Sequence, residues 1–202
     1  MITCGRQEGK FMEKTTTQKL AGFLKILVVT TFICNLTILP FVPGIVGMGS
    51  EYGLWGAAEK LEVLGTESGP LVFLAVCWQY LFRVWRSQYT AVLTLFLVVC
   101  GICTAVILWQ AKGVLDTVSE GEPFRKKNSV SMNRAAKCCF VISAVALVRV
   151  LLRLLYFRSP ASLFSYNTLF VPLFAMGGLL CMVISALFRQ AAELKEENDL
   201  TI

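Results

Sequence analysis

Four stretches of this sequence are predominantly apolar over lengths that match the thickness of a bilayer. A hydrocarbon layer of about 30 Å needs roughly 20 apolar residues in a helix rising about 1.5 Å per residue. The runs at 20–41 (LAGFLKILVVTTFICNLTILPF), 89–109 (YTAVLTLFLVVCGICTAVILW), 135–157 (AAKCCFVISAVALVRVLLRLLYF) and 169–188 (LFVPLFAMGGLLCMVISALF) meet that requirement. In hydrocarbon a backbone must satisfy its own N–H and C=O groups, which leaves helices and closed barrels. These runs are unbroken and do not alternate, so helices are expected. The fold class is therefore all-α: a polytopic membrane protein, a bundle of four transmembrane helices in a single membrane domain over 1–202. A chain that is 56% hydrophobic and 16% charged, without one His, fits that class and not a soluble domain, where about a quarter of residues are charged.

Orientation follows from the basic residues. The polar stretch between the second and third runs, 110–134, holds the densest group of Lys and Arg, with Arg125-Lys126-Lys127 followed by Arg134 and Lys137. By the positive-inside rule this loop is cytoplasmic. The N-terminal segment, with Arg6, Lys10, Lys14 and Lys19, and the tail 189–202 then share that side. The net charge of +6 does not argue for nucleic acid, because the basic residues flank apolar runs and face anionic lipid. The first nineteen residues are too long and polar for a secretory leader, and no small-residue cleavage site follows, so the first run is expected to be retained. Lys25 can snorkel to the cytoplasmic headgroups, and Pro40 and Pro43 close the far end of that run.

Residues 44–69 shift to Gly, Glu and Ser and read as an outer loop. Next, 70–82 is apolar for only about 13 residues before Arg83 and Arg86, short for a span. Trp78, Tyr80 and Trp85 suit the headgroup level, and a crossing here would place the basic loop outside. An outer loop with an interfacial or re-entrant helix is expected over 44–88. In the second run Lys112 and Asp116 belong to the cytoplasmic end. Asn128 or Ser129 offers an N-cap to a long third helix whose first turns project into the cytoplasm. In the fourth run Ala175 and Gly177-Gly178 form a small-residue surface for close helix approach, and Pro172 kinks its outer end.

The eight cysteines fall largely within apolar runs, where Cys behaves as a small hydrophobe; Cys100-Gly-Ile-Cys103 has C-x-x-C spacing but not the context of a redox or metal motif. No metal or cofactor is expected. Catalysis has little to work with: there is no His, the acids avoid the spans, and no nucleophile stands beside a base. A non-enzymatic role is expected. A transporter would need broken helices in matching halves; Pro172 and Gly177-Gly178 offer one break, and no second half is visible.

Two sets of residues stand out. Arg149 and Arg153 lie four apart on one helical face of the third span, where a central Arg costs about 2.5–3.5 kcal/mol. They either form, with Arg83, Arg86 and Arg158, a basic outer pocket for an anionic ligand or lipid headgroup, or they are structural. In the structural case Arg153 snorkels and Arg149 pairs with Glu59, Glu62 or Glu67 or bonds Asn35. In the central loop, Pro123 and Phe124 fix a turn and Asn128 caps the next helix. Alternatively, Phe124 and Asn128 join Glu193 and Glu197 of the acidic tail in a docking surface for a cytoplasmic protein. Glu193, Glu196, Glu197 and Asp199 lie close enough to the basic loop for an intramolecular clasp.

Gly121-Glu-Pro-Phe124 with Asn128, followed by a span, and the chain end Phe188-Arg-Gln-Ala-Ala-Glu-Leu-Lys-Glu-Glu-Asn-Asp-Leu-Thr-Ile202 resemble the bacterial family DUF2975. That resemblance covers roughly Leu20 to Ile202. It implies a four-span protein of the bacterial cytoplasmic membrane with a G-x-P-F…N loop and an L-x-E-x-x-x-L-T-type terminus. No enzyme activity is implied. Members are often encoded beside a small helix-turn-helix regulator, which implies a cytoplasmic transcriptional regulator as partner. Lys127 stands where the family tends to have an acidic residue, and Met132 where Leu is usual. The expected function is a regulatory or sensing membrane protein; the alternative is a small transporter or an anionic-ligand or lipid-binding protein.

Overall fold

The computed structural model describes residues 16–67, 75, 78–82, 84–121, 124–157 and 166–199. Five long helices carry the chain: α1 (Thr16–Ile38), α2 (Val42–Glu67), α3 (Gln88–Ser119), α4 (Lys126–Phe157) and α5 (Phe170–Asp199). Short 3-10 turns at Leu39–Phe41, Val84–Arg86 and Tyr166–Leu169 punctuate them, and among the described residues there is no strand. Among the described residues, four stretches are long and apolar enough to cross a membrane: Lys19–Ser50, Gln88–Ser119, Lys126–Leu155 and Phe170–Asn198. They contain the runs 20–41 and 89–109 and overlap nearly all of 135–157 and 169–188, and the protein is a multi-pass membrane protein in contact with lipid. Threonines on these apolar helices return their hydroxyls to the preceding turn, as Thr31 does to Leu27 O at 2.8 Å and Thr104 to Cys100 O at 2.8 Å. These hydroxyls therefore need no partner from the hydrocarbon.

The stretch expected as an outer loop departs from the reading. Residues 42–67 are helical, and only the 3-10 turn separates α2 from α1. Pro40 lies in that turn and Pro43 in the first turn of α2, where a missing N–H is no loss. The glycines that suggested a loop include one set by packing: a Cβ on Gly47 would lie 3.0 Å from Tyr80 O and 3.2 Å from Val84 Cγ2. Close approach of another segment, not a turn, explains that residue. The approaching segment belongs to the expected interfacial helix, and residues 78–82 are helical. It turns Val84 into the protein while Trp78, Phe82 and Trp85 face outward. Thr90 Oγ1, 2.7 Å from Val84 O and 2.9 Å from Ser87 O, ties this segment to the start of α3.

The extensive contacts among the spans run in chain order, α1 on α3, α3 on α4 and α4 on α5. The middle of the row is α4, whose spanning window is 28% buried against 0% for α1 and 6% for α3 and α5. Its enclosed face follows the heptad of close helix packing: Asn128, Ala135 and Ile142 on one line, Cys139 and Ala146 on the next, with half-buried Arg149 and Arg153 where those lines continue. Small residues at these points let the neighbours come near. The α4–α5 contact is the most extensive of the three, and a Cβ on Gly178 would lie only 3.1 Å from Phe140 Cζ. Ser143 donates to Val171 O at 2.8 Å, and Ser185 to Ser129 O at 2.8 Å, so hydroxyls bond across the same contact. Helix α5 runs unbroken through Pro172 and Gly177-Gly178. Pro172 falls in its first turn, where proline is tolerated, and the helix break that a transporter would need does not form there.

Candidate functional site

Two groups of polar residues lie at opposite ends of the α3–α4 pair. At the loop end, α3 stops where Gly121 adopts a left-handed φ of 83° and its N–H bonds Val118 O at 3.1 Å. A side chain would strain that conformation, so the glycine acts as the helix stop. Pro123, the expected turn residue, lies outside the described residues. Chain direction has reversed by Lys126, where α4 begins, and Arg125 faces Glu120 across the turn at 3.6 Å.

Asn128 was expected at the helix cap. It lies instead within the first turn of α4, and its side chain, 1% exposed, crosses to α3, where Nδ2 donates to Thr117 Oγ1 at 2.6 Å. Thr117 passes its own proton to Val114 O at 2.7 Å. The cap reading failed because Asn128 falls on the enclosed heptad line, where a polar side chain needs a partner on the neighbouring helix. Thr117 carries no distinguishing signal in the sequence beyond its place near the end of the second span.

Phe124 points outward, 49% exposed, beside exposed Arg125, Lys126 and Lys127. The tail folds back toward them as the last turns of α5. Glu196 is the carboxylate that reaches the loop, its Oε2 2.6 Å from Lys126 Nζ. The clasp expected from the charges is thus present; both partners are more than half exposed, which limits it to about 0–1 kcal/mol. Glu193 is held by Arg189 on its own helix at 3.0 Å, and Glu197 is exposed on the same turn as Glu196. The structure therefore gathers Phe124, the basic residues and Glu196 on one surface and places Asn128 beneath it.

A further ion pair lies nearby. Lys25 of α1 does not simply snorkel: Nζ meets Asp116 Oδ1 of α3 at 2.7 Å. Farther along the same contact Phe32 and Trp109 rings lie 5.6 Å apart, and Lys112 Nζ sits 5.1 Å from the Trp109 ring. The Lys25–Asp116 match was open to inference, since each is an ionisable residue near the same end of an apolar helix.

At the far end, α3 and α4 form an open cleft of about 150 Å³ lined by Gln88, Tyr89, Val92, Leu93, Arg149, Leu152 and Arg153. The two arginines singled out in the sequence thus share one cavity. Arg149 has its guanidinium carbon 4.7 Å from the centre of the Phe96 ring, and among the described residues no carboxylate pairs with it. A cation over an aromatic face gains about 0.5–2 kcal/mol. Arg86 belongs to the turn just before α3, whereas Arg83 and Arg158 lie outside the described residues.

Among the described residues, no group of three or more His, Cys, Asp or Glu is placed to hold a metal ion. The described cysteines are free thiols. Cys103 lies near Cys138 across α3–α4, and Cys139 near Cys181 across α4–α5. They occupy the helix contacts in the manner of the neighbouring Ala and Ser.

No curated protein and no solved structure matches the chain. A family model does, and it matches residues 57–202: the second half of α2, the far-end turn, α3, the Gly121–Asn128 loop, α4, α5 and the tail. α1 falls outside the matched region, which begins later than the Leu20 expected from the resemblance. With the loop, the buried Asn128 and the tail all inside the match, the chain belongs to the family of proteins of unknown function DUF2975.

Proposed function

We propose that this protein is a non-enzymatic regulatory or sensing protein of the bacterial cytoplasmic membrane that docks a cytoplasmic regulator at its loop end. Both termini lie in the cytoplasm in this reading, by the distribution of Lys and Arg on either side of the spans. The observation that carries it is Phe124, a half-exposed aromatic ring set among Arg125, Lys126 and Lys127 and beside a tail pinned by Lys126–Glu196. An aromatic anchor within a charged rim is the arrangement that concentrates binding energy in protein interfaces. Asn128 supports the surface from below, through Thr117, and does not itself contact the partner. The partner class is a small helix-turn-helix regulator, as the family resemblance implies.

Purified protein in lipid nanodiscs, mixed with the product of an adjacent regulator gene, tests the reading. The wild type is expected to retain the regulator, and Phe124→Ala to weaken retention by about tenfold or more while the helix content stays unchanged. Equal retention by Phe124→Ala and by a charge-reversed Lys126→Glu/Lys127→Glu chain would refute this docking surface.

A further inference from the structure

We infer that the cavity between α3 and α4 at the far end of the protein binds the anionic headgroup of a membrane phospholipid, with Arg149 and Arg153 on its phosphate. This site is independent of the loop-end surface. Its walls and its charges point to the same ligand. Tyr89, Val92 and Leu93 on α3 and Leu152 on α4 supply an apolar lining, and all belong to stretches long and apolar enough to span the bilayer. Gln88 and Tyr89 stand at the very start of α3, so the polar side of the cavity lies at the end of the span, at headgroup level. Its volume of about 150 Å³ has room for a phosphate ester, and its open side leaves a way out for an acyl chain.

The charge needs an anion more than the walls need a chain. Arg149 stands eight positions before the end of α4 at Phe157 and turns toward α3, where the Phe96 ring meets one face of its guanidinium. A ring face satisfies no N–H donors, and a guanidinium carries five of them in a fork that fits phosphate oxygens. Arg153, one helical turn on, lines the same cavity and brings a second cation to it. A freely soluble anion would leave Val92, Leu93 and Leu152 without a role in recognition. A lipid whose phosphate meets the arginines and whose acyl chain follows these residues uses both halves of the cavity.

Native mass spectrometry of the full chain, released from a neutral detergent with graded phosphatidylglycerol, phosphatidylcholine or inorganic phosphate, tests this. Phosphatidylglycerol is expected to be retained at least about tenfold more tightly than phosphatidylcholine, and Arg149→Gln to erase that preference. Val92→Trp keeps both guanidinium groups and fills the cavity from its lipid-facing side, and it is expected to lose phosphatidylglycerol as well. This second variant decides the matter if Arg149→Gln does not fold. Equal retention of the two lipids by the wild type, or wild-type retention of phosphatidylglycerol by the Val92→Trp chain, would overturn the inference. Binding of inorganic phosphate without any preference for phosphatidylglycerol would overturn the lipid as its source.

Discussion

Replacing Asn128 with Ala removes a side-chain hydrogen bond that ties the first turn of α4 to α3 at Thr117. The loss is bounded by what stays behind. Thr117 keeps its donor satisfied at Val114 O, so the substitution strands no proton, and the cost is the bond plus the truncated volume. Hydrogen bonds between membrane helices average about 0.6 kcal/mol and reach about 1.7 kcal/mol. A donor–acceptor distance of 2.6 Å and 1% exposure place this one in the upper part of that range. Emptying a fully enclosed amide site adds a packing loss, and Asn128→Ala is expected to destabilise the protein by about 1–3 kcal/mol in all. Thr117→Val removes the acceptor at nearly constant volume. A double-mutant cycle over wild type, Asn128→Ala, Thr117→Val and the pair, followed by unfolding in dodecyl sulfate mixed micelles, then isolates a coupling of about 0.6–1.7 kcal/mol. Coupling below about 0.3 kcal/mol, the usual error of additivity, would refute the bond as a joint between α3 and α4.

Gly178→Val pushes a side chain into the Phe140 ring and is expected to cost about 1–3 kcal/mol, whereas Gly177→Ala, whose added Cβ meets nothing within 4 Å, is neutral or stabilising by up to about 1 kcal/mol; thermal unfolding in maltoside micelles checks both. Asp116→Leu leaves Lys25 without its carboxylate and is expected to destabilise by about 1–2 kcal/mol, discounted because both partners are one-third or more exposed. The double change Lys25→Met/Asp116→Leu should recover most of that loss in the same assay; a double variant weaker than the single would contradict the pairing. Glu196→Lys should free the tail from Lys126 at a cost below about 1 kcal/mol, seen as faster proteolysis of the last turns of α5, with Lys126→Glu/Glu196→Lys restoring protection at low salt.

The spans were legible because hydrocarbon leaves a helix no polar alternative, so twenty apolar letters carry most of the structural information. The failure at 42–67 has a physical source as well. Gly47 and its neighbours have loop composition, but whether a glycine marks a turn or a close contact depends on what lies against it, here Tyr80 and Val84, far along the chain. Ala57, Ala58, Glu59, Lys60, Leu61 and Glu62 are good helix formers and were the local signal that outweighed it. At the loop, opposite charges announced the Lys126–Glu196 clasp, whereas the role of Asn128 hung on which face of α4 is enclosed. Arg149 shows the same limit. Its anomaly was plain from the cost of charge in a span, but its neighbour proved to be the Phe96 ring, and no polarity pattern distinguishes that phenylalanine from thirteen others.

Helix α4 has 32 residues without a break, about 48 Å of continuous rod at about 1.5 Å per residue, and Asn128 and Arg149 stand on the same line along it. Such a rod behaves as an axle. Any twist that carries Arg149 away from the Phe96 ring carries Asn128 away from Thr117 through the same angle, because no hinge lies between them to absorb it. The two faces of the membrane are therefore geared together by a single shaft, and what loosens one bearing loosens the other.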